Sequence, residues 1–168
     1  MHHQPDGTAF DIVLLLHAAC AIAGVVTMLT ATATAGRLRR LLSAAAPLPE
    51  ALRRYFRPGV NWAGRTIYGV PVFGFALIAM SQGAYALGAG WILAGLALFA
   101  GVVLLGEGVV WPAERRLQAA VSAASEPAPT AAAAAAETMS RDARSMAQGG
   151  GVALVLVVLG IVVMVAQP

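Results

Sequence analysis

Residues 12–35 read IVLLLHAACAIAGVVTMLTATATA, a run without a single formal charge. A helix crosses the hydrocarbon core of a bilayer with about 20 predominantly apolar residues. Lipid offers no hydrogen bonds to the backbone, so an apolar run of this length is helical if it spans at all. Three more runs of the same kind follow at 62–81, 91–110 and 150–166, with polar stretches at 36–61 and 112–149 between them. The expected fold is therefore all-α: four transmembrane helices in an antiparallel bundle with short cytoplasmic helical extensions. Residues 1–168 read as one transmembrane domain, since four spans and their connections use nearly the whole chain.

Composition agrees. Hydrophobic residues make up 59% of the chain and charged residues 11%, with a mean hydropathy of +0.75. A soluble domain carries roughly 25% charged residues. The net charge of +3 has a topological cause. All eleven basic residues are arginine, and they fall into two zones: 37, 39, 40, 53, 54, 57 and 65 between the first two spans, and 115, 116, 141 and 144 between the last two. The positive-inside rule puts both zones in the cytoplasm and both termini outside, as suits a multi-pass protein of a bacterial cytoplasmic membrane. Nucleic acid is not an expected partner. The first span is expected to be retained rather than cleaved, because Met1–Asp11 lacks a basic n-region and carries Asp6 and Asp11.

Local signals organise the connections. Arginine-rich residues 37–46 can continue the first helix until Pro47 and Pro49 stop it. A short amphipathic helix over 50–56, with Leu52, Tyr55 and Phe56 opposite Arg53, Arg54 and Arg57, is expected to lie in the headgroup plane. Pro71 is expected to kink the second span. Trp91 and Trp111 bracket the third span and fit an interfacial aromatic belt. A Pro-containing linker at 125–130 precedes a helix over 130–148 with Thr130 as its N-cap, and Gly149-Gly150-Gly151 reads as a hinge before the fourth span.

Few residues carry chemistry. His17 is the histidine found within a span, and Cys20 follows three residues later on the same helical face. Together they can contribute to a copper site, and His17 alone can be an axial ligand of haem b, with Met28, Met80 and Met164 as thioether donors. Both can equally be packing residues. Spans two to four hold no histidine, which excludes a haem held by two span histidines of one subunit. At the N-terminus His3, third from the amine, can chelate copper or nickel. Glu107, in Gly106-Glu-Gly108, and Arg65 lie toward the cytoplasmic ends of adjacent antiparallel spans, where pairing would offset the desolvation of both charges. A structural ion pair is the expectation, with Glu107 as a proton site the alternative. Glycine-rich phosphate loops, nucleophile elbows and zinc-type His-Glu helices are missing from the sequence, so the chain reads as non-catalytic.

The stretches Leu16-His17-Ala-Ala, Trp111-Pro-Ala-Glu-Arg-Arg-Leu117 and Val163-Met164-Val-Ala-Gln-Pro168 resemble a bacterial family of predicted four-span integral membrane proteins of unknown function, distantly similar to copper-resistance D-type membrane proteins. The resemblance implies the four-span fold. It departs from the copper-resistance D type in having fewer spans and few metal ligands.

The expected function is that of a non-catalytic accessory or scaffold subunit of a larger respiratory or transport assembly, without a cofactor, whose glycine-rich faces at Gly69, Gly74 and Gly101 receive other membrane subunits or a second copy. The alternative is a small transporter or a metal- or haem-binding membrane protein using His17, Cys20 and Glu107. The arginine asymmetry predicts that a reporter enzyme active only outside the cytoplasm, fused after Pro168, is active; activity confined to a cytoplasmic reporter at that site contradicts the assigned orientation.

Overall fold

The computed structural model describes residues 7–123 and 132–166, and every regular element among them is helical. Helix α1 runs over Thr8–Ser43, α2 over Glu50–Tyr55 and α3 over Trp62–Arg65. A 3₁₀ turn at Thr66–Tyr68 leads into α4, Gly69–Met80. Helix α5, Gly90–Leu105, continues through a π-helical turn at Gly106–Val110 into α6, Trp111–Ala123, and α7 covers Ala132–Ala166. Four helical stretches are long and apolar enough to cross a membrane: Thr8–Ser43, Trp62–Met80, Gly90–Ala123 and Ala133–Ala166. The protein is thus an all-helical, multi-pass membrane protein.

Helix lengths explain what lies outside lipid. At 1.5 Å per residue, the 36 residues of α1 extend about 54 Å, against a hydrocarbon core of about 30 Å. Helix α7, with 35 residues, is almost as long. Helix α1 ends in a left-handed cap: Ala45 has φ 48°, and the amides of Ala46 and Ala45 donate to the carbonyls of Leu41 and Leu42 at 3.0 and 3.2 Å. Pro47 then bars any continuation.

The described residues pack as two compact units: those within 1–27, 61–102 and 155–168 form the first, and those within 28–60 and 103–154 the second. The second unit carries the denser core. Met28, Leu38, Phe56, Val110, Leu117 and Met146 are all at most 1% exposed there. Leu52 and Phe56, four residues apart on one side of α2 and its C-cap, are 3% and 0% exposed. The apolar face expected to lie on lipid headgroups is thus turned into protein. Trp111, expected in an interfacial belt, is also buried, and a Cβ at Gly106 would approach its indole to 2.7 Å. A glycine one turn earlier makes the space that the ring fills.

A second expectation fails at the triple glycine. Helix α7 passes through Gly149-Gly150-Gly151 without a break. Gly149 and Gly150 are buried: a Cβ on the first would meet Val109 at 2.9 Å, and one on the second would meet the Thr32 hydroxyl at 2.6 Å. These glycines permit close helix approach, and packing on both sides holds them helical despite their low propensity. The linker at 125–130 and the Thr130 cap lie outside the described residues. Two polar links cross the second unit, from Gln118 Nε2 to the Gly59 carbonyl at 3.2 Å and from Arg116 Nε to Asp142 Oδ1 at 2.8 Å.

Tyr55 and Thr32 carry buried, unsatisfied hydroxyls in this core, and Tyr55 is the titratable one of the two. Its hydroxyl oxygen is buried with no hydrogen-bond partner among the described residues. Burial first, and the charge of Glu114 second, push its phenol well above the ordinary value of 10.0. The unfolded chain then loses this proton near pH 10 while the folded chain keeps it. The stability involved is complete below about pH 10 and is lost as pH rises further. Tyr55→Phe should match or exceed wild-type thermal stability at pH 7 and lose less of it between about pH 9 and pH 11. An equal or steeper alkaline loss in the variant contradicts this assignment.

Candidate functional site

In the first unit, α1 lies against the segment 66–78 along a strip of small residues. A Cβ at Gly24 would overlap the Ile67 side chain, and one at Gly69 would overlap Cys20 Sγ. One at Gly74 would stand 3.3 Å from His17 Cε1. The glycines expected to receive partner helices are therefore occupied by this chain's own side chains; Gly101 likewise faces Leu156 at 3.0 Å. In lipid, where apolar side chains gain nothing by leaving solvent, such close approach strengthens dispersion contacts between helices.

Pro71 acts one turn earlier than a simple kink would. Its missing N–H would have served the carbonyl of Ile67, and Ile67 lies in the 3₁₀ turn that tightens the helix over Thr66–Tyr68. Immediately before the proline, the Val70 carbonyl accepts a hydrogen bond from His17 Nδ1 at 2.8 Å. A carbonyl oxygen has no proton to give, so Nδ1 carries the hydrogen. The neutral ring then has a bare lone pair on Nε2.

That ring borders two cavities of about 370 and 270 Å³. Both are lined by Leu14, His17, Val70, Gly95, Phe99 and Met164. The larger also meets Phe10, Phe75, Tyr85 and Trp91, the last two stacked edge to face with centroids 5.8 Å apart. Ser81 fixes this end of the unit: its hydroxyl donates to the Ile78 carbonyl at 2.7 Å and accepts from the Tyr85 amide at 3.1 Å. Met164 reaches the cavities because residue 95 is glycine; a Cβ there would overlap its terminal methyl. Among the described residues, no aspartate, glutamate or arginine lines either space.

The sequence-derived residues separate accordingly. Cys20 shares the helix interface with His17 but lines neither cavity, packing on Gly69 instead. Of the three thioethers, Met164 is beside His17's cavities, while Met28 belongs to the core of the second unit and Met80 borders neither space. His3 lies outside the described residues. Arg65 closes α3 half-buried, and Glu107 is exposed in the π-helical turn. Among the described residues no three of histidine, cysteine, aspartate and glutamate gather in a metal-binding group. The sequence places Met164 in a set of three and Gly74 on a small-residue face, but not Gly95, and the partners of both glycines lie 57 to 69 positions away.

No family model matches the chain, and neither a curated protein nor a solved structure matches it.

Proposed function

We propose that this is a non-catalytic membrane protein that binds an apolar small molecule between its helices at His17. Its place is a bacterial cytoplasmic membrane, with both termini outside and the arginine-rich connections in the cytoplasm. The observation that carries the reading is an imidazole, anchored through Nδ1 on the Val70 carbonyl, on the wall of two adjoining apolar cavities. A polar group within a membrane bundle is costly unless it has a partner, and Nδ1 already has one. Cavities of a few hundred cubic ångströms, mostly apolar with one oriented polar atom, suit small-molecule ligands.

Mild-detergent extraction followed by mass spectrometry of the released small molecules tests this. Wild-type protein should carry one apolar compound in near-stoichiometric amount, and Ala21→Phe, which adds an aromatic ring to the wall of the smaller cavity, should reduce its content severalfold while remaining helical by circular dichroism. Equal retention in the variant, or a wild-type protein free of any such compound and unable to take one up, contradicts it.

A second reading, the accessory or scaffold subunit, is favoured by a different surface. Ala19, Ala23 and Thr27 on α1 and Ala63 and Thr66 beyond it line a shallow groove together with Ile22 and Val26. Such a groove admits another helix closely. Migration with other membrane subunits on native gels would support that reading.

A further inference from the structure

The chemistry of the two cavities narrows the ligand. We infer that it is an iron porphyrin of the haem b type, held by His17 Nε2 with Met164 Sδ as the opposite axial donor; this rests on the ligand-binding reading above. The first step is the tautomer. With Nδ1 donating to the Val70 carbonyl, Nε2 offers only a lone pair, so it cannot donate to a ketone, quinone or ester oxygen. An occupant that engages Nε2 brings an electron-pair acceptor: an O–H or N–H proton, or a metal ion.

The second step is Met164. It lines the same two cavities, and Gly95 gives its thioether room to do so. A thioether is a poor hydrogen-bond acceptor and a good soft ligand, so two bases of this kind together favour a metal over a hydroxyl. The third step excludes a bare ion. Among the described residues neither cavity has a carboxylate, and no group of three conventional ligands exists. A cation stripped of water there would be uncompensated. The metal must therefore arrive with its equatorial ligands and a large apolar body, and a porphyrin supplies both. A histidine that gives its other ring proton to a backbone carbonyl is the arrangement that orients such a ligand and raises its basicity. Imidazole with thioether is an established axial pair for haem iron. Aromatic and aliphatic side chains such as Phe10, Phe75 and Phe99 would cover the macrocycle.

The full chain, purified in mild detergent from cells supplied with haem precursor, is examined by absorption spectroscopy and pyridine haemochrome assay, and the haem-free protein is titrated with haemin and with metal-free protoporphyrin. The inference predicts about one haem per chain, with the sharp bands of a six-coordinate low-spin centre. Haemin should bind at least tenfold more tightly than the metal-free ring. His17→Gly should weaken haemin binding at least tenfold, with recovery on adding imidazole. Met164→Leu should keep the haem but convert the spectrum to five-coordinate high spin. A helical wild-type protein that binds no haemin overturns the inference, as does His17→Gly with unchanged affinity and spectrum. If the protein instead carries another apolar compound that haemin does not displace, the porphyrin assignment fails while the ligand-binding reading stands. If nothing binds, both fail.

Discussion

A single hydrogen bond, from His17 Nδ1 to the carbonyl of Val70, sets the character of the whole first unit. It ties α1 to the start of α4 beside Pro71, where the helix has just passed through a 3₁₀ turn. Interhelical hydrogen bonds in membranes contribute on average only about 0.6 kcal/mol. Its importance is directional. It fixes which nitrogen of the neutral ring is protonated, on a side chain that borders an apolar space, and Gly74 leaves the imidazole room to lie along α4. The same device recurs at Gly95, where the missing side chain admits Met164. Glycine here makes places for functional side chains as well as contacts between helices.

The two units differ in how they bury apolar side chains. In the second, Phe56, Leu38 and Leu117 are almost completely buried, as in a water-soluble bundle, and α2 adds its Leu52 and Phe56 to that core. In the first, large side chains such as Leu15, Ile22 and Val72 are more than 60% exposed, as suits lipid contact. Burial of apolar area drives the former, at about 25 cal/mol per Å². The latter depends on close approach, and it leaves open space wherever helices diverge, which is where His17 and Met164 stand.

The fold was largely legible because its cause is local. The charge-free run at 12–35 and its three counterparts specify spanning helices whatever the rest of the chain does, and Pro47 marks the end of α1 within a few residues. What was not legible depends on distant neighbours. The amphipathic pattern over 50–56 has the same sequence whether its apolar face meets lipid or protein, and only Leu52 and Phe56 in place decide for protein. Gly149-Gly150-Gly151 read as a hinge because local propensity said so, yet Thr32 and Val109 keep it helical. At the site, His17 was conspicuous as the span histidine. Its pairing with Val70 and its company with Met164 could not be read, because helical spacing relates a residue to its own helix only.

The chemistry of the site depends on the protonation of one ring. Nitrogen-15 spectra of uniformly labelled protein in bilayers, with His17→Gln to assign the signals, report it directly. At neutral pH the account predicts a neutral His17 with its proton on Nδ1, and an Nε2 signal that shows a bare nitrogen or one bound to a metal. A proton found on Nε2, or a ring doubly protonated at neutral pH, would contradict it.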